Sequence, residues 1–172
     1  GYEIIFLWVA RMIMTGIEFM GEPPFHHVYL HGIMRHQDGS KISKSNPQPG
    51  DDPLDVIEEY GADALRYWIV TGSTPGQDVR LSLPKIAEAR NFTNKLWNAA
   101  RFVLLARDQQ PTDDPGQPTA WSNLGLVEQW ILSRCHATVA EVTRQMDAYQ
   151  FGEAGRTLEE FLWSEFCDWY IE

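Results

Sequence analysis

The stretch from Pro84 to Arg107 constrains the fold most strongly, because apolar side chains recur there every three or four residues. They are Ile86, Ala89, Leu96, Ala100 and Val103, with Thr93 as the one polar exception. This spacing predicts a long helix with one buried face. Two further helical stretches, Leu124 to Met146 and Gly152 to Tyr170, are long enough to pack against it. We therefore predict at least three helices of a bundle, with a core filled by Trp121, Trp130, Trp163 and Trp169.

The first forty residues have a different pattern. Good helix formers fill residues 3 to 20, and Gly21 with the pair Pro23-Pro24 supplies the end of that helix. Its apolar run is interrupted by Arg11 and Glu18 and is short of the ~20 clean residues of a membrane span. We expect a buried helix of a soluble protein. Residues 26 to 34 then predict a strand, followed by a turn at 37–40.

Breaker residues divide the middle of the chain. Asp51 or Asp52 is predicted to cap a helix that begins at Pro53 and ends at Gly61. Asp63 is predicted to cap a second short helix, from Ala64 to Val70. We place a domain boundary near Ser82, after the turn-rich residues 71–76. The predicted fold class is α/β over residues 1–82 and all-α over residues 83–172. Residues 108–122 predict a loop.

Charge and cysteine content limit the function classes. The 172 residues carry a formal net charge of −10, so any contact with a nucleic acid must be local. The helix from Pro84 is the exception, since Lys85, Arg90, Lys95, Arg101 and Arg107 are offset only by Glu88. Arg90 and Arg101 share a face of this helix. We favour simple solvation as their role, and contact with an RNA backbone is the alternative. Cys135 and Cys167 indicate neither a disulfide framework nor a zinc site, which fits a reducing cytoplasm.

The pentapeptide Lys41-Ile-Ser-Lys-Ser45 is the clearest chemical feature. It holds two lysines and two hydroxyls between Gly39 and the breaker residues 47–50. It follows the predicted strand, and ligands of doubly wound sheets lie beyond the carboxyl ends of strands. Ammonium groups on flexible stems suit a polyanion such as a nucleotide, although a solvated turn has the same composition.

Several stretches together resemble the class I aminoacyl-tRNA synthetases. They include residues 2–14, 28–32, 52–57 and 60–66 around the lysine pentapeptide. Residues 75–78, 89–102 and 165–172 look like the valyl branch in particular, and the resemblance covers nearly the whole chain.

The resemblance implies that residues 1–82 are the carboxyl-terminal half of a class I nucleotide-binding (Rossmann-like) domain and that residues 83–172 are part of a helical anticodon-binding-type domain. It also implies an ATP site and an amino-acid pocket. The lysine loop would close over the triphosphate of ATP, with Lys44 as the principal contact, Lys41 as the second catalytic lysine, and Ser43 and Ser45 adding hydrogen bonds. His31 and Gly32 would lie beside the adenosine, although a structural hydrogen bond is an equal alternative for His31. Glu3 and Trp8 would line the amino-acid pocket. The alternative for Trp8 is a simple core position. The two residues are five apart, which places them on one helix face only if the first turn is irregular. Mg²⁺ would accompany ATP, and we expect no metal site of the protein's own and no tightly bound cofactor.

The implied function is that of a valine–tRNA ligase, which activates valine with ATP and transfers it to tRNA(Val). The resemblance implies a monomeric cytoplasmic protein with no membrane partner. The first residue is not Met, which indicates an excised piece. The family's His-x-Gly-His signature and its editing domain are absent from these residues, so we expect this piece alone to be inactive.

Two departures leave alternatives open. After the lysine loop the family continues with a Gly-Asn pair and an apolar residue, whereas residues 46–52 read Asn-Pro-Gln-Pro-Gly-Asp-Asp, about one residue longer. Glu3 stands where Asp is more usual. One alternative is the isoleucyl branch, against which Trp8 and the segment 91–97 argue. The other is a non-catalytic module that binds tRNA or a protein partner. His26, His27 and His36 are predicted to be surface residues.

Overall fold

A computed structural model describes residues 1–43, 47–109 and 123–171. Within these ranges the chain is mostly helical and its strands form one short parallel pair. It divides into two compact units. The sheet unit comprises Gly1–Asp51 and Gly72–Ser82, and the helical unit comprises Asp52–Thr71 and Leu83–Glu172.

The sheet unit begins with a helix that is irregular in its first turn. A π-helical turn, Ile5–Val9, continues as α1, Ala10–Met20. Gly21 ends α1 with φ of 81°, a left-handed conformation that glycine adopts without strain, so the predicted end is confirmed. The predicted burial is wrong, because no residue of either segment is buried. A helix that is apolar on several faces is buried only where other elements cover it. No described element of the sheet unit covers this helix.

Two short strands give the sheet unit its name. β1, Met34–Arg35, pairs in parallel with β2, Val79–Arg80. The Val79 N–H donates to Ile33 O at 3.0 Å, and the Leu81 N–H donates to Arg35 O at 2.8 Å. The strand predicted over 26–34 is wrong for most of its length, because regular ladder pairing, among the described residues, joins only Met34–Arg35 to Val79–Arg80.

Local signals define the first helices of the helical unit. α2, Pro53–Tyr60, is capped by Asp52, whose Oδ1 accepts the Leu54 N–H at 2.9 Å, and it ends at Gly61 with φ of 92°. Both predicted ends are confirmed. α3, Ala62–Thr71, begins one residue before Asp63, so Asp63 lies in its first turn and the predicted cap is wrong.

Three longer helical segments complete this unit, and they confirm the predicted bundle helices. They are α4, Leu83–Gln109; α5, Leu126–Asp147; and α6, Phe151–Glu160, which continues as a π-helical segment, Phe161–Ile171. The core is formed by the buried side chains of Leu65, Trp68, Ile86, Ala89, Phe92, Ile131 and Phe161. None of the described helices is long and apolar enough to cross a membrane.

Two core predictions are wrong. The apolar face of α4 is buried only in its first half, since Leu96 and Val103 are exposed. Trp130, Trp163 and Trp169 are also exposed, and Trp68 of α3 is buried in their place. Helical spacing identifies a face but not the length over which other helices cover it. Trp121 lies outside the described residues, as does the predicted loop except for residues 108–109, which belong to α4.

The packing of α3 bears on domain organisation. The Tyr67 hydroxyl donates to Gly155 O of α6 at 3.2 Å and lies 3.2 Å from Oε2 of Glu159. Burial and the nearby Glu159 carboxylate raise the pKa of Tyr67 well above its usual range. Residues 52–71 therefore pack in the helical unit. The domain boundary predicted near Ser82 stays a prediction.

Candidate functional site

The lysine loop, defined here as residues 37–50, leaves the end of β1 through a tight turn. Gly39 has φ of 86°, its N–H donates to His36 O at 2.9 Å, and the His36 N–H donates to Ser40 O at 2.9 Å. Asp38 Oδ1 accepts the Ser40 N–H at 2.8 Å, and the hydrogen bonds from Ser40 lower the pKa of Asp38. The predicted turn at 37–40 is confirmed.

Lys41 follows this turn directly. It forms an isolated antiparallel bridge with Arg35 and its side chain is exposed. The backbone is thus anchored while the ammonium group faces water, an arrangement that suits a phosphate group. Ser43 is also exposed and Ile42 is half-buried. Lys44 and Ser45 lie outside the described residues.

The other end of the loop is anchored at Asp51. Its Oδ2 accepts the Gln48 N–H at 2.7 Å, and its own N–H donates to Gln48 O at 3.1 Å. Its Oδ1 lies 3.3 Å from Nδ1 of His36, and both side chains are buried. The prediction that His36 is a surface residue is therefore wrong, because the Asp51 end of the loop covers it. His26 and His27 are exposed.

Residues 31 and 32 precede β1. His31 is exposed, and its Nδ1 lies 2.8 Å from Gly32 O. A Cβ on Gly32 would lie 1.8 Å from the carbonyl oxygen of Gln77. Gly32 thus allows the close approach of the backbone at Gln77. This role differs from the predicted approach of Gly32 to a purine, and the purine role stays a prediction.

Glu3 and Trp8 lie on the irregular first turn. The Leu7 N–H donates to Glu3 O at 3.3 Å, and the Ala10 N–H donates to Ile5 O, the i→i+5 bond of a π-helix. That spacing brings residues five apart closer together than an α-helix does. Trp8 is 65% exposed, so its alternative as a core residue is wrong for the sheet unit. Both residues are exposed.

An ion pair that the sequence reasoning missed supports the strand pair. Asp78 Oδ1 accepts the Ile33 N–H at 2.9 Å, and its Oδ2 accepts from Arg35 Nε at 2.5 Å. The Ile33 hydrogen bond and then the Arg35 guanidinium lower the pKa of Asp78. Arg35 also donates from Nη1 to Gly39 O at 3.3 Å. The only signal in the sequence was an acidic residue directly before β2, too common to predict a partner 43 residues away.

The cations of α4 have different environments. Lys95 Nζ lies 2.8 Å from Asp168 Oδ1 and 4.0 Å from the centre of the Trp163 ring, so its charge is used within the helical unit. Arg90 and Arg101 are exposed, and neither makes an ion pair with a described residue. Their charges are available to a partner.

Within 1–43, 47–109 and 123–171, no three His, Cys, Asp or Glu side chains come together as a metal site. Of the two lysines of the loop, the structure describes Lys41, which is exposed and pairs through its backbone with Arg35 of β1.

Comparison with known families decides the identity. Residues 1–82 match the family model described as tRNA synthetases class I (I, L, M and V), and residues 128–172 match the anticodon-binding domain of tRNA ligases. All 172 residues align at 53% identity with the valine–tRNA ligase of Latilactobacillus sakei subsp. sakei. Residues 1–82 thus belong to the class I tRNA synthetase family.

Other relatives agree with this assignment. The valine–tRNA ligases of Staphylococcus saprophyticus and Clostridium acetobutylicum are 53% and 51% identical over 100% of this chain. The chain spans 19% of the length of these synthetases. A crystal structure of a ternary LeuRS–tRNA–LeuAMS complex from Agrobacterium radiobacter matches 90% of this chain and 20% of its own with a TM-score of 0.67. At 18% identity that match shows the fold alone, and it confirms the predicted fold class.

Proposed function

We propose that this chain is a segment of a valine–tRNA ligase that joins part of the ATP site to the start of the anticodon-binding domain. The observation that carries the proposal is the 53% identity with a valine–tRNA ligase over all 172 residues. Identity of this size over the whole chain covers both predicted domains, 1–82 and 83–172, and the link between them. The placement of Lys41 at an anchored loop beside β1 supports the same assignment.

The proposed reaction has two steps. A carboxylate oxygen of valine attacks the α-phosphorus of ATP, the bond to the β-phosphate bridging oxygen breaks, and valyl-adenylate and pyrophosphate form. A ribose hydroxyl at the 3′ end of tRNA(Val) then attacks the valyl carbonyl carbon and releases AMP. Negative charge moves onto pyrophosphate in the first step, so preorganised cations there stabilise the transition state more than the ground state.

The residues of this chain have the following proposed roles. Lys41 and Lys44 stabilise the departing pyrophosphate, while His31, Gly32, Ser43 and Ser45 contact ATP. Glu3 binds the valine ammonium group and Trp8 contacts its side chain. Mg²⁺ enters with ATP as part of the substrate and neutralises phosphate charge. Its ligands are then chiefly the phosphate oxygens of ATP.

The helical unit has the proposed role of holding tRNA. Residues 128–172 match an anticodon-binding domain, and the exposed Arg90 and Arg101 offer cations to an RNA backbone. The net charge of −10 makes such local cations necessary. The full-length protein is proposed to be a cytoplasmic monomer.

The deciding experiment is amino-acid-dependent exchange of pyrophosphate into ATP by the full-length protein. Valine should support exchange with the highest kcat/KM, and a reaction without amino acid is the control. A preference for isoleucine would favour the isoleucyl branch. Absence of exchange with every amino acid, with tRNA binding retained, would favour the non-catalytic module suggested by the unusual residues 46–50. Residues 1–172 alone should give no exchange, since half of the ATP site is not in this sequence.

A further inference from the structure

The two ends of the lysine loop meet at a buried pair of side chains. His36 is 6% exposed, and its Nδ1 lies 3.3 Å from Oδ1 of Asp51. The same His36 holds the first turn of the loop through its backbone N–H and C=O, and the same Asp51 holds the last turn through Gln48. One pair of residues thus joins both anchors of the segment that carries Lys41.

The pair is more than an incidental contact. Asp51 Oδ1 is buried and has no hydrogen-bond partner among the described residues, and the His36 imidazole is the polar side chain placed beside it. An uncompensated buried carboxylate costs several kcal/mol, and breaking such a pair by removing one partner is strongly unfavourable. The contact between the two side chains therefore links the two ends of the loop.

We infer that His36 and Asp51 form a clasp that positions the lysine loop, with Lys41 as the side chain whose position depends on it. They are positioning residues, because neither needs to contact a substrate. The role in catalysis rests on the proposed function, since the loop is assigned to ATP there. Closure of the loop at its base limits where Lys41 can lie, and misplacement of a reacting-centre group by about 1 Å can cost about 100-fold in rate.

The first test needs no catalytic activity. The full-length protein is treated with trypsin under native conditions, and the peptide that ends at Lys41 is measured by mass spectrometry over time. Asp51→Asn should speed this cleavage by about tenfold, the order expected for losing one contact to a charged group. Asp38→Asn is the matched control, since it changes an exposed acid of the same loop outside the clasp and retains an oxygen for Ser40. It should leave the rate within about twofold of wild type.

A double-mutant cycle protects the test against simple misfolding. His36→Gln and the double variant His36→Gln/Asp51→Asn are measured beside the single variant. Because the two side chains act as a unit, the double variant should be cleaved no faster than the faster single variant. Additive increases, or no increase in either single variant, would overturn the clasp.

The second test separates positioning from general stability. In valine-dependent exchange, Asp51→Asn should lower kcat/KM for ATP by about 10- to 100-fold and leave KM for valine within about twofold. Equal losses for both substrates would show a purely structural pair and overturn the positioning role. If wild type itself gave no exchange, the proposed function would fall, and the cleavage cycle would still decide whether the pair holds the loop.

Discussion

Gly155→Ala is a sharp test of how the helical unit is packed. A Cβ at Gly155 of α6 would lie 2.1 Å from Cγ2 of Thr71 in α3. Carbon atoms prefer separations of about 3.5–4.0 Å, so α3 or α6 must shift. Overpacking of this kind costs roughly 1–3 kcal/mol, while alanine gains up to ~1 kcal/mol over glycine in a helix. We expect a net loss of ~1–2 kcal/mol in the free energy of unfolding.

Thr71→Ser provides the matched background. It removes the clashing Cγ2 but keeps the hydroxyl, which donates to Tyr67 O at 2.8 Å. The nearest remaining atom is Cβ of Thr71 at 3.2 Å, a tight but tolerable contact. In this background Gly155→Ala should be neutral or stabilising by up to ~1 kcal/mol, which gives a coupling of ~2 kcal/mol between the two sites.

The assay is urea unfolding of the four variants followed by circular dichroism, with similar m-values as the sign that the same structure unfolds. Additive effects of the two substitutions would refute the packing of α3 against α6. They would also remove the reason for placing residues 52–71 in the helical unit.

Two further predictions concern charge. Replacing Arg90 and Arg101 together by Gln should weaken tRNA binding and flatten its salt dependence by about one unit of slope for each lost phosphate contact; unchanged affinity across a salt series would show that both are merely solvated. Arg134 donates to both carboxylate oxygens of Glu165, at 2.7 and 2.6 Å, and lowers the pKa of Glu165. Its contribution to stability, at most ~1 kcal/mol for a half-exposed pair, should be present above the ordinary carboxyl pKa of ~4.3 and disappear as pH falls through the lowered value. Thermal melts of wild type and Glu165→Gln should therefore converge in acid, and a constant difference would contradict this.

Local signals in the sequence predicted the ends of elements well. Asp52 caps α2 through its own side chain, and Gly21 and Gly61 end helices through positive φ values. Each of these depends on residues within one turn, so the sequence contains the whole interaction.

Features that depend on distant residues were not predictable in the same way. The strand expected over 26–34 formed only where Val79–Arg80 runs beside it, and α4 is buried only where other helices cover it. The sequence predicts a surface position for His36 because its partner, Asp51, lies at the far end of the loop. The Arg35–Asp78 ion pair spans 43 residues, and periodicity carries no information at that range.

The site was predicted by resemblance more than by pattern. Lysines and serines in a turn-rich stretch fit a solvated loop equally well, and the neighbouring motifs favoured ATP. The anchoring of Lys41 is consistent with that choice. The roles of all the predicted ATP-site residues, Lys44 and Ser45 included, stay predictions.

The most direct test of the central claim is the effect of the two lysines on valine activation by the full-length protein. Lys41→Ala and Lys44→Ala are compared with Lys85→Ala, an exposed lysine on α4, in valine-dependent pyrophosphate exchange. We expect Lys44→Ala to lose ~2–4 kcal/mol of transition-state stabilisation, or about 30- to 700-fold in kcat. Lys41→Ala should lose activity in the same step. The KM for valine should hardly change in either loop variant, and the activity of Lys85→Ala should stay close to that of wild type. Wild-type exchange in both loop variants, or a loss of valine binding equal to the loss of rate, would contradict the assignment of this loop to the departing pyrophosphate.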